Sequence, residues 1–189
     1  MNLCFDAVDL RVVHGSATAA AVAGVQELDY ANLLEQVGAV AGLFHGLGTE
    51  NETVLGVAVA DPFIELLTLL AGARLGATVV SLDDVARLEA YRPTLVVSDA
   101  LLDFAGHEPR ATVLIGVEPA DPQRDITWEM GLRAGRTKPA GAAVVRGDQL
   151  AYVLDGEVTV AEAADDQSRY GAWLRLLRSG QPIELGTSA

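Results

Sequence analysis

The sequence is short of the residues with which proteins hold metals, phosphates and disulfides. Cys4 is its single cysteine, which excludes an intramolecular disulfide framework or a cysteine-based zinc cluster within one chain. Lys138 is the single lysine among 13 basic residues, set against 26 acidic ones, and the formal net charge is −13. Nucleic-acid backbones are held by clustered cations, so neither DNA nor RNA is an expected partner. Aromatic residues make up only 5% of the chain, which makes the pair Tyr170 and Trp173 conspicuous. Apolar runs are broken by Gly, Asp or Pro well short of the roughly 20 residues of a membrane span. The first residues carry Asp6 and Asp9 where a secretory leader carries basic ones. Together with the lone thiol, these absences predict a reducing, cytoplasmic setting.

Signature loops are missing as well. Neither G-x-x-x-x-G-K-S/T nor H-E-x-x-H occurs. The glycines of Gly42–Gly48 end a helical pattern instead of joining a strand to a helix start, so they read as capping residues. His14, His45 and His107 are scattered, and no metal is expected. Cys4 has no neighbouring base, and Ser16 and Ser81 lack the strand–turn–helix context of a nucleophile.

What is present is enough apolar material for one large domain, 50% of 189 residues. The spacing predicts a short strand over 10–13 and an edge strand within 15–24. A helix follows from Asp29 to Gly46, with Leu33, Leu34, Val37, Val40, Ala41 and Phe44 on one face. Val54–Val59 is too uninterruptedly apolar for a strand with one wet face and reads as a central parallel strand. Asp61 and Pro62 open a second helix that Gly76 closes. Strands are expected over 78–82, 94–97 and 112–117, and short helices over 84–91 and 127–133. A flexible surface segment is expected over 133–147. Strand 149–154, the turn pair Asp155-Gly156 and strand 157–160 make a hairpin. A closing helix, 165–178, carries Tyr170, Trp173, Leu174 and Leu177 on one face, as core or as a docking surface. Alternation at this spacing implies right-handed βαβ units in a doubly covered sheet.

The run from Leu28 to Asp83 carries a resemblance. Leu-Asp-Tyr-Ala-Asn-Leu-Leu is followed by Val-Leu-Gly-Val-Ala-Val-Ala-Asp-Pro and then by Leu-Leu-Ala-Gly-Ala-Arg-Leu-Gly-Ala-Thr-Val-Val-Ser-Leu-Asp. This order resembles the opening of the adenylate-forming ligases, the superfamily of acyl-CoA synthetases, peptide-synthetase adenylation domains and luciferases. It is also similar to small actinobacterial proteins that lack the phosphate-binding loop. The likeness is strongest over 28–98 and extends to Leu154; the last thirty-odd residues depart from it.

The resemblance implies a three-layer α/β fold and, in an active member, a phosphate loop of the form S-G-T-T-G-x-P-K-G directly after a strand. There, backbone amides and hydroxyls cradle phosphate and a lysine supplies charge. Here the strand Leu150-Ala151-Tyr152-Val153-Leu154 is followed by Asp155-Gly156-Glu157-Val158-Thr159, with no lysine and with two carboxylates. Gly135-Arg136-Thr137-Lys138-Pro139-Ala140-Gly141 echoes the end of such a loop but lacks its preceding strand, and reads as a connector. The family's later catalytic Lys and ribose-binding Asp find no counterpart.

These observations predict a single α/β domain over 1–180, with a C-terminal hairpin and closing helix, and a frayed tail over 181–189. The expected function is that of a non-catalytic binding, regulatory or interaction module, as a homodimer or with a protein partner, without a cofactor. The alternatives are a nucleotide- or acyl-ligand-binding protein and one half of a split AMP-forming acyl-CoA synthetase. Open α/β sheets bind ligands at the carboxyl ends of their strands, and the residues to inspect there are Asp61, Asp83 and Asp99.

Overall fold

The computed structural model of the chain describes residues 1–24, 26–104 and 106–186. Helical residues come first: a π-helical stretch, Phe5–Asp9, runs into α1, Leu10–Val13. The expected strand over 10–13 is therefore a helix, because a four-residue apolar run does not by itself distinguish the two periods. Strands β1, Ala20–Gly24, and β2, Leu28–Asp29, lead into α2, Tyr30–Gly46. Asp29 caps α2 by accepting the Asn32 amide at 2.8 Å, which satisfies one of the orphan donors of the first turn.

The central unit alternates as the apolar runs demand. β3, Val54–Ala58, is followed by α3, Pro62–Leu75, and β4, Thr78–Ser81. Next come α4, Val85–Tyr91, β5, Leu95–Ser98, β6, Ala111–Leu114, and β7, Asp125–Thr127. Helix α5, Trp128–Thr137, precedes β8, Leu150–Val153, and β9, Glu157–Thr159. Helix α6, Arg169–Ser179, precedes β10, Ile183–Leu185. Among the described residues, seven strands form one sheet in the order β7-β6-β5-β3-β4-β8-β9, parallel except for the terminal β8–β9 hairpin. The fold is α/β with helices flanking this sheet. The chain runs from β3 to β4, then back across to β5 on the other side of β3. Right-handed crossovers in opposite directions put α3 and α4 on opposite faces.

Both faces are dry in the middle: Leu55, Val79, Val80, Val96, Val97 and Val113 are each 0% exposed. Burial of side chains of this size stabilises by about 1.5–3 kcal/mol apiece. Helices α2 and α5 cross so closely that a Cβ on Gly135 would run into Ala39 O, and one on Gly42 would meet Gly135 O at 2.8 Å. Those glycines are therefore needed for packing. No helix among the described residues is long and apolar enough to cross a membrane.

Two expectations fail at the edges of the domain. The frayed tail over 181–189 instead contains β10, whose Ile183 and Leu185 are buried and which pairs parallel with β1 in a small second sheet, β10-β1-β2. Residues 187–189 lie outside the described residues. The flexible segment over 133–147 is the end of α5 followed by a pinned strap. Ala140 and Ala143 amides donate to Gly38 O and Arg74 O, and Arg74 Nε donates to Ala140 O at 2.8 Å.

Candidate functional site

Strand order fixes where a ligand crevice would open. The switch in winding direction lies between β3 and β5, and the carboxyl ends of these strands carry Asp61 and Asp99. That crevice is bridged: Asp99 Oδ2 accepts the Ala60 amide at 2.7 Å, tying the end of one strand to the loop after the other. Asp61 caps α3 through the Phe63 amide at 2.8 Å. Asp83, beyond β4, accepts Ser81 Oγ at 2.7 Å on Oδ1 and Arg87 Nη1 at 2.8 Å on Oδ2. Asp84 caps α4 through the Arg87 amide at 2.8 Å. The structure thus brings the three sequence-derived candidates to one end of the sheet, each with its carboxylate engaged by the protein itself.

The neighbouring end of β8 is where the resemblance places a phosphate loop. Here Asp155 and Gly156 form a tight turn, with the Leu154 amide donating to Gly156 O at 3.3 Å, and the chain returns as the antiparallel edge strand β9. Glu157 accepts the Tyr91 hydroxyl at 2.9 Å. Lys138 is nowhere near. Because β8 runs parallel to β4, Leu150 stands at the amino end of the sheet and Leu154 at the carboxyl end; Ala140 accepts from Arg74 in the last turn of α3, just before β4 begins, so the Gly135–Gly141 segment and the Leu154–Thr159 turn occupy opposite ends. Gly135 serves the α2–α5 crossing, and the Lys138 amide closes the helix end on Gly135 O at 3.1 Å.

A polar cluster among the described residues was not legible from the sequence. Glu65, on the first turn of α3 and only 6% exposed, receives Arg169 Nη2 at 2.5 Å and the Tyr170 hydroxyl at 2.8 Å, all on Oε1. Burial pushes the Glu65 carboxyl above its ordinary range against the opposing pull of Tyr170 and Arg169. Tyr170 lies edge-on to Tyr152, ring centres 5.5 Å apart, and stacks on Trp173 at 5.8 Å, while the Arg169 guanidinium covers the Trp173 ring at 5.3 Å. The Tyr152 hydroxyl donates to Asp166 Oδ2 at 2.8 Å, and Ser168 Oγ donates to the same oxygen. Burial works against ionisation of Asp166, but the hydrogen bonds from Ser168 and Tyr152 outweigh it and hold its carboxyl low. Burial, then the Asp166 charge and hydrogen bond, drive the Tyr152 hydroxyl upward. Every member is bonded to or stacked on another member, so the cluster fastens α6 to α3 and β8, with the half-exposed Arg169 guanidinium as its solvent-facing edge. The aromatic face of α6 is core: Tyr170, Trp173, Leu174 and Leu177 are all buried.

At the other end of the sheet, Arg74 Nη1 binds both oxygens of Asp9 at 3.0 and 2.7 Å and touches Cys4 Sγ at 3.7 Å. Burial pushes the Cys4 thiol up to about 12, so Cys4 is no nucleophile. Among the described residues, no group of three or more metal-ligating side chains gathers. A cleft of about 400 Å3, lined by His45, Glu50, Lys138 and the strap beyond it, borders a second of about 380 Å3 lined by Glu35, Arg74 and Arg136.

No protein-family profile and no curated protein matches the chain in sequence. A solved structure does match in shape: the crystal structure of Brucella canis acyl-CoA synthetase, with a TM-score of 0.73 at 17% identity. The match takes in 100% of this chain but 43% of that one. The chain thus spans less than half the length of the synthetase it resembles, and it has the fold of that part of an acyl-CoA synthetase.

Proposed function

We propose that this chain is a non-catalytic binding and interaction module built on the scaffold of an adenylate-forming ligase, acting through a protein partner or a second copy of itself. The observation that carries the reading is the acidic β8–β9 hairpin. A phosphate loop needs free amides and a cation after this strand; the chain puts a two-residue turn and two carboxylates there, and its one lysine lies at the far end of the sheet. The bridge between Asp99 and Ala60 adds to it, because it engages the Asp99 carboxylate with the protein itself at the crevice in which an open α/β sheet takes ligands.

The test is a thermal-shift titration with ATP, AMP, CoA and an acyl-adenylate analogue, alongside sedimentation and affinity capture. A ligand at a hundred times its dissociation constant stabilises the folded state by about 2.7 kcal/mol, so binding would register plainly. No saturable shift is expected with any of the four, together with self-association or capture of a defined partner. A saturable shift with ATP or the adenylate, abolished by Asp99→Ala, overturns the reading. So does a strictly monomeric protein that captures nothing.

A further inference from the structure

We propose that Asp155-Gly156 is a site of main-chain rearrangement: the Gly156 amide closes on the Asp155 side chain, and reopening leaves an isoaspartyl linkage that a carboxyl methyltransferase takes as substrate. This goes beyond the interaction-module reading and does not depend on it. The pair is the one Asp-Gly in the sequence, and no Asn-Gly accompanies it. Three conditions favour the reaction in a folded chain. The carboxyl is unengaged, the amide that follows it is unbonded, and nothing packs over the turn.

Asp155 and Gly156 are both exposed. The Asp155 carboxylate joins no hydrogen bond or ion pair among the described residues, and the Gly156 amide donates to no acceptor among them. A Cβ built on Gly156 would find nothing within 4 Å. The turn is crossed by the bond from the Leu154 amide to Gly156 O at 3.3 Å, longer than the usual range of about 2.7–3.2 Å. Other aspartates fail one condition or another. Asp61 and Asp121 precede prolines, whose nitrogens carry no hydrogen. The amide after Asp29 is given to Ala19 O at 3.1 Å. Asp148 is paired with Arg146, and the amide after it donates to Arg146 O at 3.4 Å. Asp99 is held by the Ala60 amide.

The chemistry needs no oxidant and no second reactant but water. The Gly156 nitrogen attacks Cγ of the neutral carboxyl, an N–Cγ bond forms, and the carboxyl hydroxyl leaves with the amide hydrogen as water. Water then opens the resulting succinimide at Cγ, which restores aspartate, or at the Asp155 main-chain carbonyl, which routes the chain through Cβ and Cγ and frees the α-carboxylate. The isomer carries one more methylene in the main chain between the paired residues Val153 and Glu157. Strand β9 is the outermost of its sheet and pairs with β8 alone, so the domain stays folded while Glu157, which accepts the Tyr91 hydroxyl at 2.9 Å, is displaced. The freed α-carboxylate stands on an exposed turn as a methyl acceptor, to which a methyltransferase moves the methyl of the S-adenosylmethionine sulfonium.

The experiment is incubation of the full, folded chain at neutral pH, then trypsin and mass spectrometry of the peptide 147–169. A species lighter by one water should appear first, then an isomer of unchanged mass that takes up labelled methyl from S-adenosylmethionine in the presence of an isoaspartyl methyltransferase. The rate should lie within severalfold of that of the same peptide free in solution and should not move with sub-denaturing urea. Asp155→Glu keeps the charge but demands a larger ring, and should abolish the signal. Gly156→Ala adds a methyl into open space and should slow it severalfold. A folded chain that does not convert while the free peptide does, conversion that climbs with sub-denaturing urea, or undiminished conversion in Asp155→Glu would each overturn the proposal.

Discussion

The Tyr170 hydroxyl reaches back from the closing helix α6 to Glu65 on α3, at 2.8 Å, across 105 positions of sequence. A hydrogen bond to a buried charged group contributes about 1.5–3 kcal/mol. Tyr170→Phe should therefore lower the urea midpoint by a corresponding amount with an unchanged slope, and an unmoved midpoint would show that the contact carries no stability.

The same pair sets a pH dependence. Burial, opposed by Tyr170 and Arg169, raises the Glu65 carboxyl above its ordinary 4.5, so the folded chain holds this proton more tightly than the unfolded one. The stability that Glu65 contributes is thus full below the unfolded value and is lost as pH rises through the folded one. Urea titrations of the wild-type chain and Glu65→Gln should show the wild type losing ground to the variant as pH rises above the ordinary carboxyl value of 4.5. A difference that grows in the wild type's favour would contradict the assignment.

Packing of α2 on α5 makes a sharper case. Alanine is favoured over glycine inside a helix by about 1 kcal/mol, yet Gly135→Ala would drive a methyl into Ala39 O. Overpacking of this kind costs about 1–3 kcal/mol, and the melting temperature should fall. Gly147→Ala, where the new methyl meets only the Ala161 Cβ at 3.5 Å, should leave it nearly unchanged.

Asp61 separates a structural from a ligand-binding role. Its carboxylate accepts the Phe63 amide at the start of α3, so Asp61→Ala should cost about 1 kcal/mol while Asp61→Asn, an equally good cap, costs little. If the Asn variant unfolds as early as the Ala variant, capping is not what Asp61 contributes.

Cys4 is 0% exposed and its thiol is pushed up to about 12 by burial. Iodoacetamide should leave it unmodified in the folded chain near neutral pH and should label it stoichiometrically in denaturant, with mass spectrometry as the readout. Rapid labelling of the folded chain would show that the N-terminal helical segment opens locally.

The scaffold was legible where local chemistry is strong. Asp29, Asp61 and Asp84 mark helix starts, Gly76 and Gly180 sit in left-handed conformation at helix ends, and the dry runs at Val54 and Thr78 are central strands. What escaped has physical reasons. Leu10–Val13 is too short to show a period. Ile183-Glu184-Leu185 alternates apolar and polar over three residues, a pattern that becomes a strand only because β1 offers it an edge. The Glu65–Arg169–Tyr170 and Asp9–Arg74 contacts join residues far apart in sequence, and a single sequence has no signal for such pairs. The reverse held at Asp155-Gly156, where two adjacent residues announce a turn.

Pairing of β10 with β1 couples the two ends of the chain in time as well as in space. During vectorial synthesis one edge of β1 stays bare until Leu185 has left the ribosome, although every strand of the larger sheet is already available. Closure of the small sheet thus comes after every strand of the larger one has been made, and any nascent-chain arrest upstream of Ile183 leaves Val22 and its neighbours as an unclaimed template for a passing strand.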